Sequence, residues 1–553
     1  MFDVSRTRSL KVAALKSHTG TAHTASETRP LGNGFVAALA LAAIACSSPA
    51  PTAPNIILIV TDDQGWTSVS YPSNPQLPES KSDYIETPYM AKMAEQGLRF
   101  TDGYSPNAQC SATRHSLMFG QNAARHIYNK TLDWLTEEDK KLTVPKAIKA
   151  ANPEYRTAHF GKWHIGITPD DAGFDYTDGI SSNAAGDMQD GQYRVTDGIG
   201  GALRAYNEEH GIEPPTWDGR FSKQPVYSPD YDPKGAFSMA NRAESFMRES
   251  QAAGKPFFAY IAHYATHLDL ASRSESYEHF KSKPAGKKHD DPGFAAMALD
   301  MDASIGRVLG AVEAMGITDN TYIFLMGDNG GVQVLLQSAT LGDGLEIVET
   351  HETKIRWRNL PLRHGKHEYY EGGIRVPFLA MGPGIRPGTV SREPVSGLDF
   401  LPTFVELAGG TDLSDDLDGD SIVPVLRGEP LERRSEALMF HQGANRTPIS
   451  AIRKGKYKLV KHWGYDQNCK YCGSKLIELY DLGRDLGELD DLSEEMSDVA
   501  AELDAELSYF LEQVDAETDF ADRNDPYNQL VQRLGGGTSK GPLRPNYVSP
   551  FEE

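Results

Sequence analysis

The stretch Cys110-Ser111-Ala112-Thr113-Arg114-His115-Ser116-Leu117-Met118-Phe119-Gly120 sets a thiol four residues ahead of a guanidinium, at what reads as the start of an apolar helix. At a helix N-terminus the free N–H groups and the positive end of the dipole favour an anion. Arg114, one turn later on the same face, adds a full positive charge. The stretch reads as a candidate nucleophile aimed at an oxyanion; the plain alternative is a cysteine packed beside an arginine.

Other chemistry-bearing groups recur along the chain. Thr61-Asp62-Asp63-Gln64-Gly65 holds two adjacent carboxylates, which repel each other at the end of a buried strand unless a cation sits between them; otherwise they form a solvated turn. Gly161-Lys162-Trp163-His164 carries a lysine and a histidine two residues apart, able to share one side of an extended segment. His263 and His267 follow a further apolar run, Asp328-Asn329-Gly330-Gly331 follows another, and Lys366 lies within Leu362 to Pro377. In that last stretch Gly372-Gly373 fits a tight backbone approach rather than an element interior.

Each group follows a segment that must position it. Asn55 to Val60, Tyr155 to Phe160, Pro256 to Ala262 and Thr321 to Met326 are short apolar, β-branched or aromatic runs, as in strands buried on both faces. Helical segments are predicted over 87–97, 237–250 and 295–315. The alternation predicts an α/β fold: a large mostly parallel sheet sandwiched by helices, with ligands outside the carboxyl ends of the strands. There Asp62, Asp63, Asp328, Asn329, Lys162, His164 and His267 can converge. A loop-rich insertion from Thr168 to about Lys234 suits a pocket wall.

The 553 residues allow a large core and a smaller companion. Strands over 449–453, 457–461 and 476–481 with a helix over 496–513 predict a C-terminal antiparallel sheet plus helix. The expected organisation is an export signal at 1–46, a linker at 47–54, a catalytic domain at 55–431, a C-terminal subdomain at 432–523 and a tail at 524–553.

A formal charge of −22 and the absence of a Lys/Arg stripe argue against nucleic acid as a partner. No tract is long enough to span a bilayer as a mature helix. Basic residues, the apolar run Phe35 to Ala45 and small residues read as an export signal. Ala43-Ile44-Ala45-Cys46 is similar to a bacterial lipobox, with Ala43 where Leu is usual, so membrane attachment through a lipidated Cys46 is an open expectation alongside simple export. The location expected is the periplasm, or an outer-membrane lipoprotein at the cell surface. Of the four cysteines, Cys469 and Cys472 read as a short local disulfide ahead of a zinc or redox site.

Together, Asn55 to Gly65, Cys110 to Gly120, Gly161 to Gly166, Asp328 to Gly331 and Leu362 to Pro377 resemble type I sulfatases of the alkaline-phosphatase-like superfamily. The resemblance covers nearly the whole mature chain and implies that Cys110 is oxidised to formylglycine by a maturase. It implies one divalent cation, Ca²⁺ or else Mg²⁺, on Asp62, Asp63, Asp328 and Asn329, all hard oxygen donors. Arg114, Lys162, His164, His267 and Lys366 would hold sulfate and move protons. A hydroxyl of the formylglycine hydrate attacks sulfur, its pKa lowered by the cation. His267, or Lys366 beside it, protonates the departing alcohol, and His164 then takes a proton so that sulfate leaves. Ala112 departs from the usual Pro of the signature, a form similar to that accepted by radical-type maturases and less favoured by the oxygen-dependent one.

The substrate expected is a sulfated carbohydrate or polysaccharide fragment. Trp217, Arg220, Arg356, Trp357 and Arg358 can stack on sugar rings or pair with uronates, or else pack at the surface. Two rival readings stand beside it: a phosphonate or phosphate monoester hydrolase of the same superfamily, which usually carries Asp-His in place of Asp328-Asn329, and a catalytically inactive glycan-binding protein.

Overall fold

The computed structural model describes residues 53–125, 142–179, 181, 226–227, 232–267, 270–332, 358–411, 416–443, 449–463, 477–516 and 518. The export segment, Cys469, Cys472, Trp217, Arg220, Arg356 and Trp357 lie outside them.

The strand Asn55–Thr61 is buried along its whole length. Ile57 and Ile59 point into one apolar cluster, while Ile56, Leu58 and Val60 point into the other. An uninterrupted apolar run is what such a doubly covered strand requires. It pairs in parallel with Phe257–Ala262 on one side and Thr321–Gly327 on the other. The eight-stranded sheet runs Thr389–Ser391, Leu98–Phe100, Phe378–Met381, Thr321–Gly327, Asn55–Thr61, Phe257–Ala262, Arg156–Gly161, Tyr176–Thr177. Only Phe378–Met381 runs antiparallel to its neighbours.

Helices cover both faces. Pro88–Gln96, Ala236–Ala252, Ser274–Lys281 and Pro292–Ala314 bring Met90, Phe246, Phe280 and Met301 to one cluster. Cys110–Phe119, Val144–Ala151 and Phe400–Leu407 bring Leu117, Ile148 and Phe404 to the other. The helix predicted from 295 begins earlier, because Pro292 supplies a pre-set φ at the first turn and Asp291 accepts the Phe294 N–H at 2.8 Å. Three short strands of the sheet, Leu98–Phe100, Phe378–Met381 and Thr389–Ser391, are too brief to show a period in sequence.

Gly372 and Gly373 are not in a loop. They sit inside a one-turn helix, Glu371–Ile374. The close approach is present as well, since a Cβ on Gly330 would stand 1.8 Å from the Gly372 carbonyl oxygen. Toward the C-terminus, four antiparallel strands run in chain order, Ala437–Gln442, Ile449–Lys454, Tyr457–His462 and Ile477–Asp481. The first of them is an addition to the expected three. Leu503, Leu507 and Leu511 of the Ser497–Gln513 helix pack on Ile452, Leu459 and Leu479, and the sheet's other side meets Tyr104, Tyr369 and Tyr370 through Phe440, Val460 and Tyr480. Fully buried Lys458 lies 2.9 Å from Glu371 and 2.8 Å from Glu488, joining this sheet to the one-turn helix by charge.

Candidate active site

Because the central strands are parallel, their carboxyl ends lie at one edge. Thr61 is paired with Gly327, so Asp62-Asp63 and Asp328-Asn329 leave the sheet side by side. The Asp63 N–H donates to Asp328 Oδ1 at 3.0 Å, and Asn329 Nδ2 donates to Asp63 Oδ1 at 2.8 Å. Asp63 adopts a left-handed φ of 55°, a conformation aspartate tolerates better than most residues. Thr266, which the sequence reading passed over, holds the turn by donating from Oγ1 to the Asp62 and Asp63 carbonyls at 3.1 and 3.3 Å.

Three cations meet these carboxylates. Lys162 Nζ donates to Asp62 Oδ2. Lys366 Nζ lies 2.6 Å from Asp63 Oδ1 and 2.8 Å from Oδ2. Arg114 Nε donates to Asp328 Oδ2 at 2.9 Å, and its Nη1 reaches the Lys162 carbonyl at 2.9 Å. Cys110 is the first residue of its helix and Arg114 follows one turn on; Gly120 closes the helix in the left-handed conformation. Cys110 Sγ lies 3.4 Å from His164 Nδ1, and His267 Nε2 lies 3.9 Å from Asp63 Oδ2. The ten residues that the resemblance assigns to the cation, the sulfate and the protons therefore gather here. Lys162 and His164 do so by another route than the extended segment expected: the strand stops at Gly161, and His164 has a φ of 57°.

The charges shape the titration of the site. Burial raises Asp62 and Asp63, but the cations outweigh it, Lys162 foremost for the first and Lys366 for the second, and both carboxyls lie below the usual range. Asp328 is pushed up to about 7 by burial and by the charge of Asp62. His164 is pushed down to about 3 by burial, Lys162 and Arg114, which favours the neutral imidazole. Burial also lowers His267, against the pull of Asp62 and Asp63. The Cys110 thiol is pushed up by burial, which makes the unmodified sulfur a poor nucleophile.

The donor set fits a hard divalent cation. Asp62 Oδ1 and Asn329 Oδ1 are buried acceptors with no hydrogen-bond partner, a costly state that an ion relieves. Ligand atoms of Asp62, Cys110 and Asp328 lie within 4.8 Å of one another. Arg358 is elsewhere. Its guanidinium lies over the Phe294 ring at 3.7 Å and the residue is buried, so it packs in the interior rather than at the surface.

The family model described as sulfatase matches residues 54–410, which contain every residue of this cluster. The chain belongs to the sulfatase family. As a sulfatase it is a sulfuric ester hydrolase, of a family that uses a metal ion and formylglycine. A second model, N-sulphoglucosamine sulphohydrolase C-terminal, matches residues 363–515. The sulfatase is 28% identical to a sulfatase of Formosa agariphila, over 83% of this chain and 88% of that one. It is 30% identical to arylsulfatase A of Bos taurus, over 76% of each. Among solved structures, Ps i-CgsB in complex with k-i-k-neocarrahexaose shares the fold, with a TM-score of 0.64 at 24% identity over 87% of this chain and 97% of that one. Among the described residues of the sulfatase no helix is long and apolar enough to cross a membrane.

Proposed function

We propose that this sulfatase removes sulfate from a carbohydrate outside the cytoplasm, with formylglycine made from Cys110 as the reacting residue. The observation that carries the reading is the setting of Cys110, a buried helix-start residue ringed by Lys162, Lys366 and Arg114 with a neutral His164 at its sulfur. Formylglycine at position 110 would supply the attacking oxygen, and Asp62, Asp63, Asp328 and Asn329 would hold a cation, Ca²⁺ by preference, that would supply Lewis acidity. Arg114, Lys162 and Lys366 offset the charge that gathers on the sulfate oxygens. His267 and Lys366 both lie beside Asp63, and one of them donates the proton to the departing alcohol. His164 Nδ1, facing residue 110, accepts the proton whose removal releases sulfate.

A carbohydrate substrate is supported by the fold shared with Ps i-CgsB, which binds k-i-k-neocarrahexaose in its crystal structure, and by relatives named N-acetylgalactosamine-6-sulfatase. The N-terminal basic and apolar segments support export. Turnover of an aryl sulfate, an aryl phosphate and a panel of sulfated oligosaccharides by protein carrying converted Cys110 tests the reading. Sulfate turnover with preference for one oligosaccharide is the expected result, and faster phosphate hydrolysis would overturn it.

A further inference from the structure

Lys162 is the first residue past its strand; its N–H still donates to the Ala262 carbonyl at 2.8 Å, and its carbonyl accepts from Arg114 Nη1 at 2.9 Å. Gly161 turns with a φ of 90°, so close to the neighbouring strand that a Cβ would meet the Ala262 carbonyl oxygen at 2.2 Å. The residues on either side of Lys162 are held from 178 and 181. Ser181 Oγ straddles Lys162: it donates to the Gly161 carbonyl at 3.1 Å and accepts the Trp163 N–H at 2.9 Å. The Ser181 carbonyl accepts the His164 N–H at 2.7 Å, and Asp178 Oδ2 accepts the Gly161 N–H at 2.9 Å. Asp178 is gripped in turn by Arg242 of the Ala236–Ala252 helix, Nε to Oδ1 at 2.9 Å and Nη2 to Oδ2 at 2.6 Å.

Ser181 and Asp178 are buried, and the Arg242 side chain is 9% exposed. An ion pair at such depth adds little stability over apolar packing, because desolvation offsets its attraction. It does provide an acceptor of fixed position, and the serine provides a donor and an acceptor on either side of one residue. That residue carries the ammonium on Asp62.

We propose that Ser181, backed by Asp178 and Arg242, is a positioning residue for Lys162 in sulfate-ester hydrolysis, fixing the peptide groups that flank it, an inference that rests on Lys162 being a sulfate-holding cation. None of the three touches the reacting atoms; they act through the backbone on each side of Lys162. Displacing an electrostatic group by about 1 Å costs up to ~100-fold in rate.

The test is a double-mutant cycle in converted, Ca²⁺-loaded enzyme with an aryl sulfate. Ser181→Ala should lower kcat by roughly 10- to 100-fold, and in combination with Lys162→Ala it should cost nothing beyond Lys162→Ala alone. Arg242→Lys, which keeps the charge on Asp178, should show the same non-additivity at smaller amplitude, and it carries the test if Ser181→Ala does not fold. Additive losses, or an unchanged kcat in Ser181→Ala, would overturn the proposal. If the wild-type protein hydrolyses no sulfate ester, the functional reading falls separately; the cycle is then read in the affinity for inorganic sulfate by calorimetry, where non-additive loss supports the positioning role and additive loss removes it.

Discussion

Arg114 and Asp328 meet at one oxygen, with Nε 2.9 Å and Nη2 2.8 Å from Asp328 Oδ2 and both side chains fully shielded from solvent. The guanidinium thereby ties the helix that begins at Cys110 to the end of the Thr321–Gly327 strand. Truncating it leaves a buried carboxylate without its cation. Arg114→Met should destabilise the fold by about 3–5 kcal/mol, measured by denaturant unfolding. Arg114→Lys keeps the charge and loses the fork; it should retain more stability yet lower kcat by roughly 100- to 1,000-fold, as removal of a transition-state donor does. A lysine variant with wild-type kcat would contradict this.

The unpartnered oxygens of Asp62 and Asn329 give a prediction about metal. Adding Ca²⁺ to chelator-treated protein should raise the thermal midpoint, by an amount equivalent to about 2.7 kcal/mol at a hundredfold excess over Kd. Asn329→Ala should weaken that response. A midpoint indifferent to Ca²⁺ and Mg²⁺ alike would remove the cation from this site.

Asp302 makes a prediction about pH that lies outside the active site. Its buried carboxylate accepts the Tyr89 and Met90 N–H groups, each at 2.8 Å, at the start of the Pro88–Gln96 helix. Burial pushes it up to about 7. Between its unfolded pKa near 4 and that value the folded chain holds a proton the unfolded chain has released, so stability falls as pH rises through the window, by at most about 1.4 kcal/mol per pH unit. Relative to wild type, Asp302→Asn should therefore gain stability from pH 4 to 7 and hold that gain above it. Parallel stability curves for the two proteins would refute the assignment.

Ala112 is the third residue of the helix that opens at Cys110. In a first turn the N–H lacks an intrahelical acceptor, and proline there costs no hydrogen bond of the ladder. Ala112→Pro should fold with an unchanged thermal midpoint while raising the fraction of residue 110 converted by an oxygen-dependent maturase, read by mass spectrometry of the peptide. A collapse of the midpoint would show that the turn rejects proline.

Much of the arrangement was legible in the chain. Asn55 to Val60 and Thr321 to Met326 announce buried strands because every residue after the first is apolar or aromatic, and the polar residues that follow them must then emerge at a sheet edge. The C-terminal hairpin at 449–454 and 457–462 was legible for a similar reason. Ala437–Gln442 was not, since its run ends in His441 and Gln442, whose burial depends on the neighbouring strand and on the Asn107 side chain that reaches the His441 carbonyl at 2.9 Å. For Arg358 the sequence left sugar contact and packing both open, and the Phe294 ring beneath its guanidinium shows it packed inward.

What the sequence determined by itself was the kind of chemistry and its place in the fold: side-chain type and strand periodicity are local properties, and parallel strands must present their carboxyl ends together. Which cation serves which carboxylate was decided only by tertiary structure. Lys162 binds Asp62, Lys366 binds Asp63 and Arg114 binds Asp328 because strand register and the turns at Gly161 and Asp63 set those distances. The grip of Ser181 on both sides of Lys162 belongs to the same category, since no spacing in the chain foretells which backbone a buried hydroxyl will meet.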